Sequence, residues 1–504
     1  MTAFTETTAP SEVVQTWLSG PHRLYVGGAW SDAESGATFE TVNPATGEPL
    51  AHVAEAGTGD VDRAVAAAAA AFHDERSQWR RMSGSDRGKL LWRLADLVEA
   101  HADELAMLET LDNGKPLATA RSVDLEHTID MYRYFAGWAT KITGSTIPLT
   151  VPSAQGGRFF AYTEREPVGV VAAIIPWNFP LLHIAFKVGP ALAAGCTVIL
   201  KPAEQTPLTA LRFAELVAEA GFPGGVFNVL TGFGHVAGAA LASHRAVDKI
   251  TFTGSTPVGK AVARAAADSN LKRVSLELGG KSPNIIFADA DMDVAISGAA
   301  DAIFFNSGQV CCAGTRLYVE DSVFDRVIAG LSDLARALTV GDGLNPASNI
   351  GPLISATQLE QVDAMTAEGV SRGAEAVTGG RRIRGSGYFY EPTILVNTRP
   401  EMAVVREEIF GPVVVATPFR NPDEIEPAAN DTVFGLAAGL WTRDISKAHA
   451  IAPRLNAGTV WINCWNVFDA ALPFGGYRES GWGREMGEEA VHAYTELKAV
   501  CLRY

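Results

Sequence analysis

Cysteine is scarce in this chain: five residues in 504, at positions 196, 311, 312, 464 and 501. The odd number and the spacings fit neither a disulfide framework nor a CxxC zinc pattern, so a reducing cytoplasm is the expected setting. Histidine is thin as well. Its ten residues are scattered with no two within five positions, so there is no HxxxH ligand pair and no metal is expected. Basic charge is in deficit: 41 Lys and Arg against 57 Asp and Glu leave a net charge of −16. That is the opposite of the basic surplus typical of nucleic-acid binders. The N-terminal stretch MTAFTETTAPSEVV has neither a cationic start nor an apolar run, so no signal peptide is expected. A long uninterrupted apolar segment is also missing. Residues 168–200 come closest, but Pro176, Pro180 and Pro190 break them up and Lys187 lies near their middle. A membrane span needs about 20 consecutive apolar residues, so this segment reads as buried strand, turn, helix and strand.

Only 19% of residues are charged and 47% are hydrophobic, which excludes disorder as the overall state. The length suits roughly three domains, or two large ones. Residues 1–20 read as a loose start. The Ala-rich run at 61–72 is a helix, since Ala is the best helix former, and further helical spacing follows from Leu90 and across 122–141. From residue 168 short β-branched runs alternate with longer helical ones. The strands are expected at 168–175, 197–200, 226–230, 249–252 and 273–278, with helices such as 208–220 and 258–267 between them. This alternation predicts a doubly wound parallel sheet, whose ligand site lies beyond the carboxyl ends of its strands. A second alternating region runs from about 284 to 480, with strands at 283–287, 316–320, 413–417 and 459–463. The junction falls at Glu277-Leu278-Gly279-Gly280. Residues 147–165 read as a hairpin turning at Gly156-Gly157.

Three segments carry chemistry. Cys311 and Cys312 lie between Gly308 and Gly314, and a thiol on a glycine-flanked loop is a candidate nucleophile, although a lone Cys is more often a small buried hydrophobe. Asn178, in PWNFP, follows a strand on the ligand side of the sheet. Glu277 ends another strand. Together they offer a nucleophile, an oxyanion donor and a base, against the plainer readings of a turn-forming Asn and a solvated Glu. Phe252 to Gly259 joins a strand to a helix, whose free N–H groups suit a pyrophosphate. Gly232 to Gly238 fits GxGxxxG, a weak signal alone.

Over its whole length the chain resembles the aldehyde dehydrogenase superfamily. PWNFP, FTGSTPVGK, LELGGKSP, FFNSGQVCCAG, EEIFGPV and PFGGYRESGWGRE match its motifs in order. Within it, GPHRLYVGGAW, QGGRFFAYTEREPVGVVA and TELKAVCLRY look most like phenylacetaldehyde dehydrogenases. The resemblance implies an α/β chain with a doubly wound, Rossmann-like NAD-binding domain (20–146 and 166–279) and a second α/β catalytic domain (280–480). It also implies a small β oligomerisation module (147–165 and 481–504) and a homo-oligomer, dimer or tetramer. It makes Cys311 the nucleophile, with a cationic or dipolar surround favouring its thiolate. Asn178 and the Cys311 backbone N–H become the oxyanion donors, and Glu277 the base that activates water against the thioester. Lys187 and Glu485 fall where a proton path for Glu277 can run, a surface ion pair being the alternative. NAD is expected against Ile175, Pro176, Trp177, Phe252, Ser255, Leu278 and Gly279, with Gly234 and Gly238 nearby. Lys201 and Glu204 match the adenine-ribose ligands, where a carboxylate repels a 2′-phosphate and so favours NAD over NADP. Glu408 and Phe410 match the nicotinamide-ribose ligand and its neighbour.

The access tunnel is expected to be lined by Phe179, Leu182, Phe186, Trp465, Phe468 and Phe474, an aromatic set suited to an arylacetaldehyde or another apolar aldehyde. Cys464-Trp465-Asn466-Val467 departs from the phenylacetaldehyde pattern and leaves betaine aldehyde open, because a Trp wall can hold a quaternary ammonium. The rival readings are a CoA-acylating aldehyde dehydrogenase, which needs no water-activating Glu277, and a non-catalytic NAD-binding protein.

Overall fold

The computed structural model describes residues 8–150 and 157–504. Its largest sheet has eight strands. The central five are parallel and lie in the order Arg273–Glu277, Lys249–Thr253, Val170–Ile174, Thr197–Lys201, Phe227–Val229. The first of these in the chain is in the middle, and later strands are added on either side. Strand order therefore reverses between Val170–Ile174 and Lys249–Thr253, the point where open α/β sheets bind ligands. Val170–Ile174, Thr197–Lys201 and Lys249–Thr253 are buried along their whole length, as strands covered on both faces must be. The run at 168–200 resolves into strand Val170–Ile174, helix Pro180–Ala194 and strand Thr197–Lys201. All of that helix is buried, Lys187 included. Among the described residues no helix is long and apolar enough to cross a membrane.

A second sheet of seven strands follows, in the order Glu375–Thr378, Thr393–Val396, Val413–Phe419, Arg316–Glu320, Pro283–Ile286, Ala437–Trp441, Thr459–Ile462. The chain passes from one sheet to the other between Glu277 and Pro283. Ala437–Trp441 is absent from the sequence reading because its residues (AAGLW) have little β-branched character. Burial decides it instead, since all five are buried. Its Gly439 has a specific reason: a Cβ there would lie 2.3 Å from Cζ3 of Trp465.

A third sheet pairs Thr146–Ile147 and Thr495–Arg503 with the two edges of Phe159–Pro167, both antiparallel. The Gly156-Gly157 turn expected there falls in part outside the described residues. Of the tail from 481, Gly481–Trp482 pairs with Arg273–Glu277 at the edge of the first sheet, and Thr495–Arg503 joins the third. The loose start needs correction for its later part. Glu12–Leu18 is a helix, because Ser11 caps it through Val14 N (3.3 Å) and Val14 is buried with Leu108, Leu111 and Leu344.

Candidate active site

Glu277 is the last residue of the first sheet's final parallel strand, so its side chain stands at the junction of the two sheets. The chain crosses here on Leu278-Gly279-Gly280. A Cβ on Gly280 would lie 2.4 Å from the backbone oxygen of Cys311, so the crossing segment and the cysteine loop touch main chain to main chain. Two cavities meet at this contact. One, of about 200 Å³, is lined by Pro176, Trp177, Asn178, Ser255, Leu278, Gly279, Glu408 and Phe410. The other, of about 260 Å³, is lined by Phe179, Leu182, Phe186, Trp465, Phe468 and Phe474. Thr253, Glu277 and Cys311 belong to both linings.

The first cavity sits at the strand-order reversal. Helix Thr256–Ser269 starts at its floor, and Ser255 precedes it without a side-chain cap. The N–H groups of its first turn are therefore free for an anion. A Cβ on Gly259 would lie 2.5 Å from Cδ2 of Leu278, so glycine is what lets this helix lie close to the crossing segment. Gly279 has a similar role, for its Cβ would fall 2.1 Å from Oε2 of Glu408. Glu408 accepts a hydrogen bond from Gly280 N (3.1 Å), and burial pushes its carboxyl up to about 7. Trp177 meets Phe410 edge to face at 5.2 Å. Phe410 has φ +56°, and its carbonyl accepts from Gln358 Nε2 at 2.9 Å. Gln358 and Gln361 both line the cavity. Neither stands in a motif or a glycine turn, so sequence reading had no signal for them.

Ile175, Lys201, Glu204, Gly234, Gly238 and Phe252 lie outside this lining. They gather around the neighbouring strand ends. Ile175 N donates to Lys201 O (3.1 Å), Lys201 Nζ to Glu204 (3.1 Å), and a Cβ on Gly238 would touch Cδ of Lys201 at 4.0 Å. Phe252 lies under Gly254, whose Cβ would be 2.5 Å from the Phe252 ring.

The cysteine loop is held in an unusual backbone path. Asn306, Ser307 and Gly308 all have positive φ, at 47°, 55° and 70°. For the two non-glycine residues this is a strained conformation that the surroundings must enforce. Asn306 Nδ2 donates to Asn178 O (3.1 Å), Ser307 Oγ to Gly351 O (2.7 Å) and Gln309 Nε2 to Asn306 O (3.2 Å). Asn178 Nδ2 in turn donates to Gln309 O (3.0 Å), leaving its second N–H uncommitted. Gly308 cannot be exchanged, because its Cβ would lie 2.1 Å from Gly411 O. Gly308→Ala is expected to cost about 2–5 kcal/mol from the clash and the positive φ together. Chemical denaturation would measure it, and the surviving folded fraction should have little activity because Cys311 follows three residues later.

The family profile described as "Aldehyde dehydrogenase family" matches residues 30–500. A Bacillus subtilis (strain 168) protein that carries the aldehyde dehydrogenase name is 53% identical over 487 residues, covering 97% of each chain. The NAD+ complex of a Bacillus cereus aldehyde dehydrogenase superposes with a TM-score of 0.96 at 47% identity over 99% of each chain. A point mutant of Staphylococcus aureus betaine aldehyde dehydrogenase, solved with NAD+, superposes with a TM-score of 0.92 at 38% identity, covering 95% of this chain and 97% of the other. The chain belongs to the aldehyde dehydrogenase family.

In this aldehyde dehydrogenase one electrostatic expectation needs correction. Among the described residues no cation is among the main influences on the Cys311 thiol, and of the expected dipolar groups only the Cys312 backbone N–H favours its thiolate. The adjoining Cys312 thiol and burial push it well up, and the Glu408 carboxylate adds to this. Glu277 is also raised well above the ordinary carboxyl range, by burial first and then by the charge of Glu485, with Lys187 opposing. Neither Glu277 oxygen has a hydrogen-bond partner among the described residues. Lys187 and Glu485 form a buried ion pair, not a surface one, and Lys187 Nζ also donates to Thr251 Oγ1 (3.2 Å). Glu485 lines the aromatic cavity. That cavity also holds Val123, His127, His183, Asp301, Phe305 and Asn466, which sequence reading missed. By sequence alone these look like ordinary core or surface positions, although Asn466 stands in the Cys464–Val467 segment already noted, and only the fold turns them inward.

Proposed function

We propose that this NAD-dependent aldehyde dehydrogenase oxidises phenylacetaldehyde, or a related aromatic or apolar aldehyde, to the carboxylic acid through a transient bond to Cys311. The observation that carries this reading is the shared lining. An aromatic cavity and a cavity fitted for a dinucleotide have Cys311, Glu277 and Thr253 in common.

The Cys311 sulfur adds to the carbonyl carbon of an aldehyde held among Phe179, Trp465 and Phe468. With a raised thiol the proton must be removed, and the unpartnered Glu277 carboxylate is the base at hand. The carbonyl oxygen becomes an oxyanion that the free Asn178 N–H and the Cys311 backbone N–H hold. NAD, when bound, supplies the acceptor for the hydride that leaves the thiohemiacetal. For NAD, the helix start after Ser255 takes the pyrophosphate and Glu408 the nicotinamide ribose. Lys201 and Glu204 take the adenine ribose, beside Gly234 and Gly238. Glu277 passes the thiol proton out through Glu485 and Lys187 and, so freed, takes a proton from the water that attacks the thioester; the carbon–sulfur bond breaks, the acid leaves, and that proton returns to Cys311.

A pH dependence follows from the two raised groups. Both hold their protons more firmly than usual, so turnover is expected to fall as the pH is lowered and to rise into the alkaline range. Glu408 adds a second effect. Protonated below about 7, it loses acceptor strength for ribose hydroxyls, so the KM for NAD should rise below that pH. Initial rates at saturating and limiting NAD separate the two.

A second reading is betaine aldehyde, favoured by the Trp465 wall and by the similarity to the S. aureus enzyme. The deciding experiment is NADH production across phenylacetaldehyde, benzaldehyde, alkanals, betaine aldehyde and succinate semialdehyde. Highest kcat/KM with the aryl members supports the proposal, and preference for the charged members discards it. Acyl-CoA in place of free acid when CoA is added would make the chain CoA-acylating, which a buried Glu277 argues against. NAD binding without any turnover would mark a non-catalytic protein.

The third sheet supports assembly with further copies of this chain. Ile147, Phe160, Leu497 and Leu502 are exposed on it, and two long strands with one two-residue strand bury little on their own. A dimer or tetramer is the proposed state, and light scattering distinguishes them. Five free thiols suit a cytoplasmic location.

A further inference from the structure

We propose that His183 is a specificity-determining residue that hydrogen-bonds a hydroxyl group on the substrate, so that the preferred aldehydes are hydroxylated ones. The proposal rests on the aromatic cavity being the aldehyde site.

His183 lies in helix Pro180–Ala194 and lines that cavity. It is 6% exposed. Neither ring nitrogen has a hydrogen-bond partner among the described residues, and Nδ1 is fully enclosed. Its surroundings are aromatic: Phe186 at 5.7 Å and Phe179 at 6.5 Å, both edge to face. Buried polar groups are nearly always paired, and an unpaired one in a ligand cavity asks for a partner from the ligand. Burial keeps the imidazole neutral, and the positive charges of Lys187 and Lys115 act in the same direction. A neutral imidazole has one N–H donor and one lone pair. With Nδ1 enclosed, a ligand meets only Nε2, and a hydroxyl, which can give or take a hydrogen bond, fits Nε2 in either tautomer whereas a hydrocarbon offers it nothing.

The other polar groups of the cavity are differently placed. Asp301 accepts from Asn466 Nδ2 (3.1 Å), and Asn466 Oδ1 faces the Cys312 sulfur (3.9 Å), so this set answers itself. His127 is only half-buried, within reach of water. Trp465 Nε1 is buried with no partner among the described residues. His183 stands one turn beyond Phe179, roughly 6 Å along the helix axis.

The test is kcat/KM with NAD for matched pairs: phenylacetaldehyde against its 3- and 4-hydroxy derivatives, and butanal against 3-hydroxybutanal. It is run on the wild type, His183→Met and His183→Gln. The wild type is expected to favour a hydroxylated member by at least about tenfold, since a site built to bind a hydroxyl penalises its absence. His183→Met should bring that ratio within about twofold of unity, with the KM for NAD unchanged, while His183→Gln keeps part of the preference. A wild-type ratio near unity, the same ratio in His183→Met, or a higher kcat/KM for betaine aldehyde than for every hydroxylated member would overturn the proposal. The wild-type ratio decides even if His183→Met fails to fold. If no aryl aldehyde turns over, the aromatic-substrate reading fails by itself, and the aliphatic pair still decides the role of His183.

Discussion

Cys311→Ala is expected to lower NADH formation by about 10⁴-fold or more while leaving the fold and NAD binding in place. The size follows from what the sulfur does. Without it no covalent adduct forms, and losing a nucleophile removes most of the acceleration that its partners can supply. The fold should tolerate the change because alanine is smaller and, among the described residues, the thiol's hydrogen-bond contacts are with Cys312 alone. NAD binding should persist because the helix start after Ser255, the Trp177–Phe410 contact and Glu408 do not depend on the sulfur. Binding of NAD followed by calorimetry, beside a turnover assay, reads both halves. Cys312→Ala is the control. Cys312 is buried and faces Asn466, so that variant should keep most of its turnover. Loss of activity in Cys312→Ala with activity retained in Cys311→Ala would exchange the roles of the two cysteines.

What was legible in the sequence divides along physical lines. The parallel strands of the first sheet were readable because full burial on both faces demands continuous apolar, β-branched runs, as in Thr197–Lys201. The crossing at Glu277 was readable because a strand ended in a run of glycines. Ala437–Trp441 was not, since a strand made of Ala, Gly, Leu and Trp is specified by what packs on it, here the Trp465 ring over Gly439. The six aromatic and aliphatic positions named for the tunnel lie on one cavity. Gln358 and Asp301 were out of reach of sequence reasoning, because a polar residue on a helix gives no sign of which face the fold turns toward a site. The electrostatics of Cys311 were least readable of all. They depend on how close Cys312 and Glu408 come, and on a burial that no local motif encodes.

Glu277→Gln is expected to separate the two halves of the reaction. Glutamine keeps the shape of the side chain but cannot take a proton, so water attack on the thioester should slow by about 10²–10⁴-fold. Sulfur attack loses its base as well but can still draw on the small thiolate fraction, so it should slow less than thioester hydrolysis, and a first turnover of NADH forms as the thioester accumulates. Rapid mixing should therefore show a burst near one NADH per active site followed by a slow steady state. The alkaline rise in steady-state rate should also flatten. A wild-type steady state in this variant would remove Glu277 from its role. The same substitution should change stability with a sign that exposes its cost. The Glu277 carboxyl holds its proton more firmly in the folded chain than in the unfolded one. The wild type therefore loses stability as pH rises from the ordinary glutamate range through the raised folded value. Glutamine carries no such penalty, so Glu277→Gln should match the wild type in acid and unfold at a higher temperature in the alkaline range. A variant that is both slower and more stable at high pH is the outcome expected of a carboxylate kept buried and unpaired for its basicity.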